Sequence, residues 1–477
     1  MELLLLIVVP LLGALAAVVL GRTLPRARLA GLLTTGATLI LAVRVWSVYA
    51  ASGEALEFTL SDGPPLSVLR LAADGLAVPL VMLTALLSVI AVLASWNIAR
   101  PAAHVSLLLA LEAAVIAVFL AADLVLFYVA WEAVLIPMFF LIGVWGHENR
   151  RYAAMKFFIY TFVGSALMLI GLIALIVAQG GDTAMGSGGA LTGTQGRIVY
   201  WLLAAGFLVK VPVVPLHTWL PDAHVEAPTA GSVMLAGVLL KMGAYGMARV
   251  SIPAVPEAFT TYAPVLAAFG VVGIVYGAAM ALGQSDLKRL VAYSSVAHMG
   301  FVLLGLASGS ELGLSGAMLG MVSHGIVSGL LFFLVGALQD RAHTRDMSAF
   351  GGLGQELPRW ATVFVVASLA SLGLPGLSGF PGEFATVLAS FERWGWWLAV
   401  AGVGIVLAAA YSLRAVRTVV HGEPRDIGPM RDLGVYELAA VVPLVMLTAI
   451  LGIWPRLVTD LSAATLAALS AVLGTVD

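Results

Sequence analysis

The chain has 477 residues, of which 61% are hydrophobic and only 10% are charged, with 24 Lys and Arg against 26 Asp and Glu. Soluble domains carry about 25% charged residues, so this chain cannot cover a water-facing surface of ordinary size. Its net charge of −2 lacks the basic excess of a nucleic-acid-binding protein, and its lack of cysteine excludes disulfides and iron–sulfur ligation. The composition indicates an integral membrane protein.

The first apolar segment, residues 1–20, resembles a secretory signal only in its hydrophobicity. It begins with Glu2 and no Lys or Arg, whereas Arg22, Arg26 and Arg28 follow it. A signal peptide has its positive charges before the apolar stretch. We therefore expect a retained transmembrane helix.

Fourteen apolar runs are long enough to cross a bilayer, which takes about 20 residues. In chain order these predicted spans are 2–20, 29–50, 75–96, 103–121, 122–145, 153–178, 198–220, 228–250, 261–282, 290–308, 312–338, 361–391, 396–416 and 436–455. A last apolar stretch, 457–473, is shorter, and we expect it either to lie at the membrane interface or to extend span fourteen. The fold class is an all-α polytopic membrane protein.

The loop charges predict the orientation of the spans. Most of the Lys and Arg residues fall in the loops that follow odd-numbered spans. By the positive-inside rule these loops are cytoplasmic, so both termini lie on the outer side of the membrane. Two lysines, Lys210 and Lys241, do not fit this pattern because they lie inside spans.

Two spans contain helix breakers. Span seven contains Lys-Val-Pro-Val-Val-Pro at 210–215, and span twelve contains Gly-Leu-Pro-Gly-Leu-Ser-Gly-Phe-Pro-Gly at 373–382. Proline and repeated glycine interrupt a helix, and broken backbone within a membrane is tolerated only inside protein or beside a wet cavity. The two spans run in opposite directions, which favours two inverted repeats of about five helices. Two unrelated proline kinks are the alternative.

Five ionisable residues lie deep within spans: Glu112, Glu132, Lys210, Lys241 and Glu383. Each charge near the centre of a membrane costs about 2.5–3.5 kcal/mol, so such residues usually pair and often carry function. We expect Glu132 and Lys210 to lie close enough to couple electrostatically. The pattern favours proton transfer, with purely structural ion pairs as the alternative.

Histidines add candidate proton relays. His298 and His324 lie inside spans ten and eleven, where an imidazole can carry protons, serve as a packing residue or ligate a haem. His217 and His224 lie at the inner end of span seven. Nothing nearby supplies further ligands, so no metal site is predicted.

Four motifs carry a resemblance to a known family. They are Phe-Tyr-Val-Ala-Trp-Glu-Ala-Val-Leu-Ile-Pro-Met at 127–138, the run 210–229, Leu-Leu-Lys-Met-Gly at 239–243 and the run 285–300. These resemble the antiporter-like subunits of respiratory complex I, the bacterial NADH:quinone oxidoreductase. His-Val-Glu-Ala-Pro-Thr at 224–229 and Ser-His-Gly at 323–325 are similar to the chain-4 type, also called the M type.

The resemblance covers residues 110–420 and leaves the first hundred residues without a matching motif. It implies one membrane domain over 1–477 with an antiporter-like, proton-translocating core at 110–420. It also implies a subunit of an NADH:quinone oxidoreductase translocase that performs no redox chemistry itself. Flavin, iron–sulfur clusters and quinone are expected on other subunits. The expected partners are other membrane subunits, including related antiporter-like ones, the lipid bilayer and protons, but no nucleic acid.

The resemblance also implies roles for individual residues. The family's glutamate of span five corresponds to Glu132, its two lysines to Lys210 and Lys241, and its glutamate of span twelve to Glu383. We expect Lys241 to relay protons between two half-channels and Glu383 to mark the outward exit, with His324 handing protons over.

Three other classes stay open from the sequence. The D-type subunit of a multisubunit Na⁺/H⁺ antiporter has the same fold, although the Val-Glu-Ala-Pro-Thr run favours complex I. A quinone- or haem-binding redox protein would need a cofactor pocket that the sequence does not show. A packing scaffold without transport is disfavoured by the five charges within the spans.

Overall fold

The computed structural model describes residues 1–20, 23–60, 69–95, 98–186, 191–425 and 428–474. Arg22 and the last residue of predicted span three lie outside the described residues. The protein is 81% helical.

Within its described ranges, the first part of the chain forms seven helices and one hairpin. The helices are α1 (Glu2–Leu20), α2 (Leu24–Ser52), α3 (Ala77–Ala94), α4 (Pro101–Leu120), α5 (Leu124–Ala133), α6 (Leu135–Trp145) and α7 (Arg150–Ala178). Between α2 and α3, strand β1 (Leu56–Thr59) pairs antiparallel with β2 (Arg70–Ala73), with Leu56 opposite Ala73. Helices α5 and α6 follow one another directly and together form span five.

The middle of the chain contains the first interrupted helix. The elements are α8 (Gly193–Lys210), α9 (Trp219–Glu226), α10 (Thr229–Met234), a π-helical segment (Leu235–Leu239), α11 (Leu240–Gly246), a second π-helical segment (Met247–Ser251), α12 (Ile252–Ala254), α13 (Pro256–Leu282), α14 (Leu287–Ser308) and α15 (Glu311–Ala342). The predicted break in span seven separates α8 from α9. Span eight is one continuous stretch from α10 to α12. Its division into α-helical and π-helical segments was not predicted from the sequence.

The last part contains the second interruption. The elements are a 3₁₀ turn (Met347–Ala349), α16 (Leu353–Glu356), α17 (Pro358–Ser371), α18 (Gly379–Trp394), a 3₁₀ turn (Gly395–Leu398), α19 (Ala399–Val416), a π-helical segment (Arg417–His421), α20 (Val435–Ile453) and α21 (Arg456–Gly474). The predicted break in span twelve separates α17 from α18.

Thirteen helical stretches in the described ranges are long and apolar enough to cross a membrane. The prediction of fourteen spans differs for three physical reasons. The interrupted span seven leaves α8, whose 18 residues begin with the polar run Gly-Thr-Gln-Gly-Arg and are not apolar enough overall. Spans twelve and thirteen merge into one stretch over Gly379–His421, and the C-terminal Arg456–Gly474 adds a run. The inverted repeat itself stays a prediction.

The helices divide into a buried centre and a lipid-facing rim. Most residues of Thr229–Ala254, Leu287–Ser308 and Glu311–Ala342 are buried, whereas most residues of α2 and α20 are at least partly exposed. The exposed side chains of the rim are largely aliphatic. In a bilayer such side chains contact lipid, so the polar groups of the three central stretches lie away from it. We call the end at which α4, α7, α10 and α14 begin the inner end, and the opposite end the outer end.

The C-terminal helix α21 lies across the outer end of the bundle. Trp454 and Pro455 separate it from α20, so the expectation that 457–473 extends span fourteen is wrong. The Ser462 hydroxyl donates to the carbonyl of Gly75, and the Ser470 hydroxyl donates to the carbonyl of Gly309. This helix therefore contacts the loops before α3 and between α14 and α15.

Candidate functional site

The first break places Lys210 at the carboxyl end of α8. Its side chain is 1% exposed, and its Nζ atom has no hydrogen-bond partner among the described residues. The ammonium lies 5.6 Å from the ring centroids of both Trp131 and Phe157. The negative end of the helix dipole and the faces of aromatic rings both favour a cation here.

Glu132, on α5, is the acidic group that acts on Lys210. Its carboxylate lies close enough for its charge to influence the ammonium, although no direct ion pair joins the two residues in the described part of the chain. One carboxyl oxygen, Oε1, is buried without a partner among the described atoms. The two charges are therefore coupled electrostatically without a direct ion pair, so the protonation of each can respond to a neighbouring charge.

The second group of polar side chains begins at Lys241, between the two π-helical segments. Lys241 is fully buried, and its Nζ donates to the carbonyl of Ala236. The same Nζ lies 2.7 Å from Nδ1 of His324 on α15. π-Helical turns occur frequently at functional sites, because the wider turn displaces side chains and carbonyls from their usual places.

The chain of contacts continues from His324 to Glu383. The ring centroids of His324 and His298, on α14, are 5.6 Å apart. Nδ1 of His298 lies 3.0 Å from Oε1 of Glu383 on α18, and its Nε2 lies 3.1 Å from the hydroxyl of Ser371. Lys241, His324, His298 and Glu383, which we call the relay chain, thus connect four helices.

A small cavity lies beside the relay chain. It has a volume of about 30 Å³ and is lined by His298, His324, Glu383 and hydroxyl-bearing residues such as Ser323. A cavity needs about 10–15 Å³ of such volume to hold one water. About two waters therefore fit between the two imidazoles and the carboxylate.

The second break allows Glu383 to reach this position. Gly373 has φ +78°, and a Cβ atom there would lie 2.6 Å from Oε2 of Glu383. Only glycine combines this left-handed backbone with so close an approach.

Glu112 does not join either group. It is fully buried on α4, with Ser88 of α3 as its polar neighbour, and it makes no ion pair with any described residue. Neither His217 nor His224 belongs to a group of three His, Asp or Glu that could hold a metal ion, and the described residues contain no such group.

Sequence reasoning missed a third group of polar residues at the inner end. Lys288 was expected in an inner loop, but it lies in the first turn of α14 and is fully buried. Its Nζ donates to the carbonyl of Ala227 at 3.1 Å and lies 3.4 Å from Nε2 of His147. Burial, with the positive charges of Lys288 and Arg345, lowers the pKa of His147 to about 4. The available signal was Asp286, whose side chain caps α14 and so places Lys288 within the helix.

An ion pair at the outer end was also missed. Arg249 donates to Asp74 at 2.5 Å and to the hydroxyl of Tyr245 at 3.1 Å. Burial would raise the pKa of Asp74, but Arg249 and the amides of Leu76 and Ala77 hold it below its usual value. This group ties the loop before α3 to the second π-helical segment.

The fold and these buried polar groups define a polytopic membrane protein of the antiporter-like class. The family model of the NADH:quinone oxidoreductase/Mrp antiporter transmembrane region matches residues 121–408. NADH-quinone oxidoreductase subunit M of Rhodobacter capsulatus is 45% identical over 412 residues, which are 82% of this chain and 80% of that protein. Subunit M of Pseudomonas aeruginosa is 41% identical over 93% of this chain and 92% of its own length.

A solved structure agrees with these relatives. A chain of respiratory complex I from Thermus thermophilus with bound NADH matches with a TM-score of 0.90 and 29% identity, over 99% of this chain and 100% of that one. The present chain therefore belongs to the NADH:quinone oxidoreductase/Mrp antiporter family, in its subunit M branch.

Proposed function

We propose that this chain is a proton-translocating membrane subunit of a bacterial NADH:quinone oxidoreductase, assembled with other membrane subunits. The observation that carries the proposal is the relay chain. Its contacts of 2.7 Å between Lys241 and His324 and 3.0 Å between His298 and Glu383 are within reach for proton transfer. Water in the cavity spans the remaining gap between the two imidazoles through Ser371, which lines the cavity and whose hydroxyl contacts Nε2 of His298.

Electrostatics couples Glu132 to Lys210. Two unit charges about 5 Å apart at an effective dielectric of about 20 interact by roughly 3 kcal/mol. A membrane potential of 100 mV acts on one charge by about 2.3 kcal/mol, which is comparable. Moving Glu132 relative to Lys210 therefore changes the free energy of protonating Lys210 by an amount similar to the effect of the membrane potential. Within the relay chain, the proton passes from Lys241 through His324 and His298 to Glu383.

The orientation in the membrane is inferred from the loop charges, and the location of the redox cofactors from the family resemblance. The inner end is cytoplasmic and both termini are periplasmic, because the basic loops cluster at the inner end. Electrons pass through flavin, iron–sulfur clusters and quinone on other subunits, and this chain performs no redox chemistry.

The geometry weighs against the redox alternative. A haem held by both His298 and His324 would need a free nitrogen on each ring, whereas both nitrogens of His298 are engaged, by Glu383 and Ser371. A Na⁺/H⁺ antiporter subunit belongs to the same family, but the identity to subunit M over more than four-fifths of the chain favours the oxidoreductase.

The test uses the whole complex in inside-out membrane vesicles. We expect Lys241→Ala and Glu383→Gln to abolish proton pumping while the complex still assembles, because each removes a titrating group from the relay chain. Glu383→Asp should retain part of the pumping. Pumping is measured by quenching of a pH-sensitive dye and assembly by native electrophoresis.

Glu392→Gln is the matched control, since Glu392 lies on the same helix α18 but is exposed. It should pump normally. Unchanged pumping by assembled Glu383→Gln and Lys241→Ala would overturn the proposal.

A further inference from the structure

A polar pocket opens at the inner end of the bundle. It has a volume of about 480 Å³, and its lining includes Thr229, Ala230, Gln339, Asp340 and His343. Asp340 and His343 are exposed to solvent. Water therefore enters the protein here, at the beginning of α10 and the end of α15.

His147 also lines this pocket. Its Nε2 lies 3.4 Å from Nε2 of Gln339 and 3.4 Å from Nζ of Lys288. Both neighbours are donors, and with its pKa at about 4 the imidazole is neutral at pH 7, so Nε2 is the acceptor. The contact connects pocket water to Lys288, which has no exposure of its own.

Behind Lys288 lies His224, on α9. It is fully buried and stacked on Phe332 with ring centroids 4.2 Å apart. Neither of its ring nitrogens has a partner among the residues that the structure describes. A buried polar group left unpaired destabilises the folded protein, so an imidazole with two such nitrogens calls for a function or for bound water.

His224 lies between the pocket and the relay chain. Lys288 bonds to the carbonyl of Ala227, less than one helical turn along the chain from His224. The charges of Lys288 and Lys241 both act on His224, and His224 in turn acts on His324. The imidazole is thus within electrostatic reach of both lysines and of the next histidine.

We propose that protons enter the relay chain from this inner pocket through Lys288 and His224, and reach Lys241 without passing through Lys210. This inference rests on the proposed function. A proton leaves the Lys288 ammonium through water for one nitrogen of His224, whose other nitrogen gives a proton through water to the Lys241 amine. Lys288 then regains a proton from pocket water, which Nε2 of His147 accepts and passes on. One proton moves from the pocket to Lys241, and His224 is left as its other neutral tautomer, which a turn of the imidazole ring restores before the next proton.

Substitutions of the two new residues test the route in the assembled complex. We expect His224→Phe, which keeps the stacking on Phe332, and Lys288→Met to lose proton pumping as fully as Lys241→Ala does. His224→Gln should lose it too, because an amide does not titrate. If the variants at His224 and Lys288 pump normally while Lys241→Ala does not, the inlet is overturned and the proposed function stands. If Lys241→Ala also pumps normally, the proposed function fails first.

A second measurement uses chemical labelling in place of the substitutions at His224 and Lys288. Because the chain contains no cysteine, Thr229→Cys, at a partly exposed position, places a single thiol of this chain on the pocket wall. We expect a membrane-impermeant, positively charged thiol reagent to label it from the face that carries the NADH site and to stop pumping. Ser348→Cys, exposed at the same end but away from the pocket, should be labelled without loss of pumping. Normal pumping after complete labelling at Thr229→Cys would refute the inlet.

Discussion

Gly373 offers a way to displace the Glu383 carboxylate without changing it. At φ +78°, an alanine there is strained by about 1–2 kcal/mol, and its Cβ would lie 2.6 Å from Oε2 of Glu383. Ordinary contact begins at 3.4 Å, so the carboxylate must retreat by about 0.8 Å. A displacement of that size is enough to break the 3.0 Å contact between Oε1 of Glu383 and Nδ1 of His298. We expect Gly373→Ala to lose most proton pumping.

Gly376→Ala separates this effect from backbone strain. Gly376 lies in the same turn with φ +92°, and a Cβ there would meet nothing within 4 Å. Both variants should lower the thermal midpoint of the purified complex by similar amounts, since both carry the strain. Only Gly373→Ala should lower the ratio of protons pumped to NADH oxidised. Equal ratios for the two variants would show that the position of the Glu383 carboxylate does not control pumping.

Two predictions concern groups outside the membrane-spanning helices. Asp74→Asn leaves Arg249 without its charged partner and should destabilise the protein by about 3–5 kcal/mol at pH 7. Because the pKa of Asp74 is held low in the folded protein, this difference in stability between the two proteins should vanish as the pH falls below about 4. Denaturation of both proteins at pH 7 and at acid pH measures the difference. Equal stability at pH 7 would contradict the ion pair. His147 has a pKa of about 4 against roughly 6.5 when unfolded, so the unfolded state takes up more protons between these values and stability declines as the pH falls through that window. His147→Gln should therefore lose less stability between pH 7 and pH 5, and an unchanged acid sensitivity in thermal scans would contradict the assignment.

The helical framework could be predicted because the membrane imposes simple rules on sequence. Apolar length defined the spans, and proline with repeated glycine defined the two breaks at 210–215 and 373–382. The separation of α21 from α20 was left open, because an apolar stretch of that length fits the interface and the bilayer equally well. The π-helical segments around Lys241 were not predicted, since no local residue type marks an extra residue in a turn.

The polar contacts were less accessible to sequence reasoning. The insertion cost of a charge identified Lys241 and Glu383, but it could not show that two histidines lie between them, because that depends on how four helices pack. Glu112 had the same cost and yet joins neither group. Lys288 was misplaced because a basic residue next to a predicted loop is normally solvated, whereas the cap at Asp286 turns it into the protein. The family resemblance indicated the roles of the charged residues, whereas the order of contacts along the relay chain could be read only from the tertiary structure.

The small size of the cavity beside His298, His324 and Glu383 has a consequence for ion selectivity. A proton crosses two waters by reorientation of their hydrogen bonds, without any heavy atom travelling the distance. A metal cation must instead move bodily, with its hydration shell or with protein oxygens that replace it. A space of about 30 Å³ admits no such shell, and two of the three ionisable side chains around it present ring nitrogens rather than the oxygens that hard cations prefer. The tight packing of α14, α15 and α18 thus discriminates between ions by size and by ligand chemistry at one point.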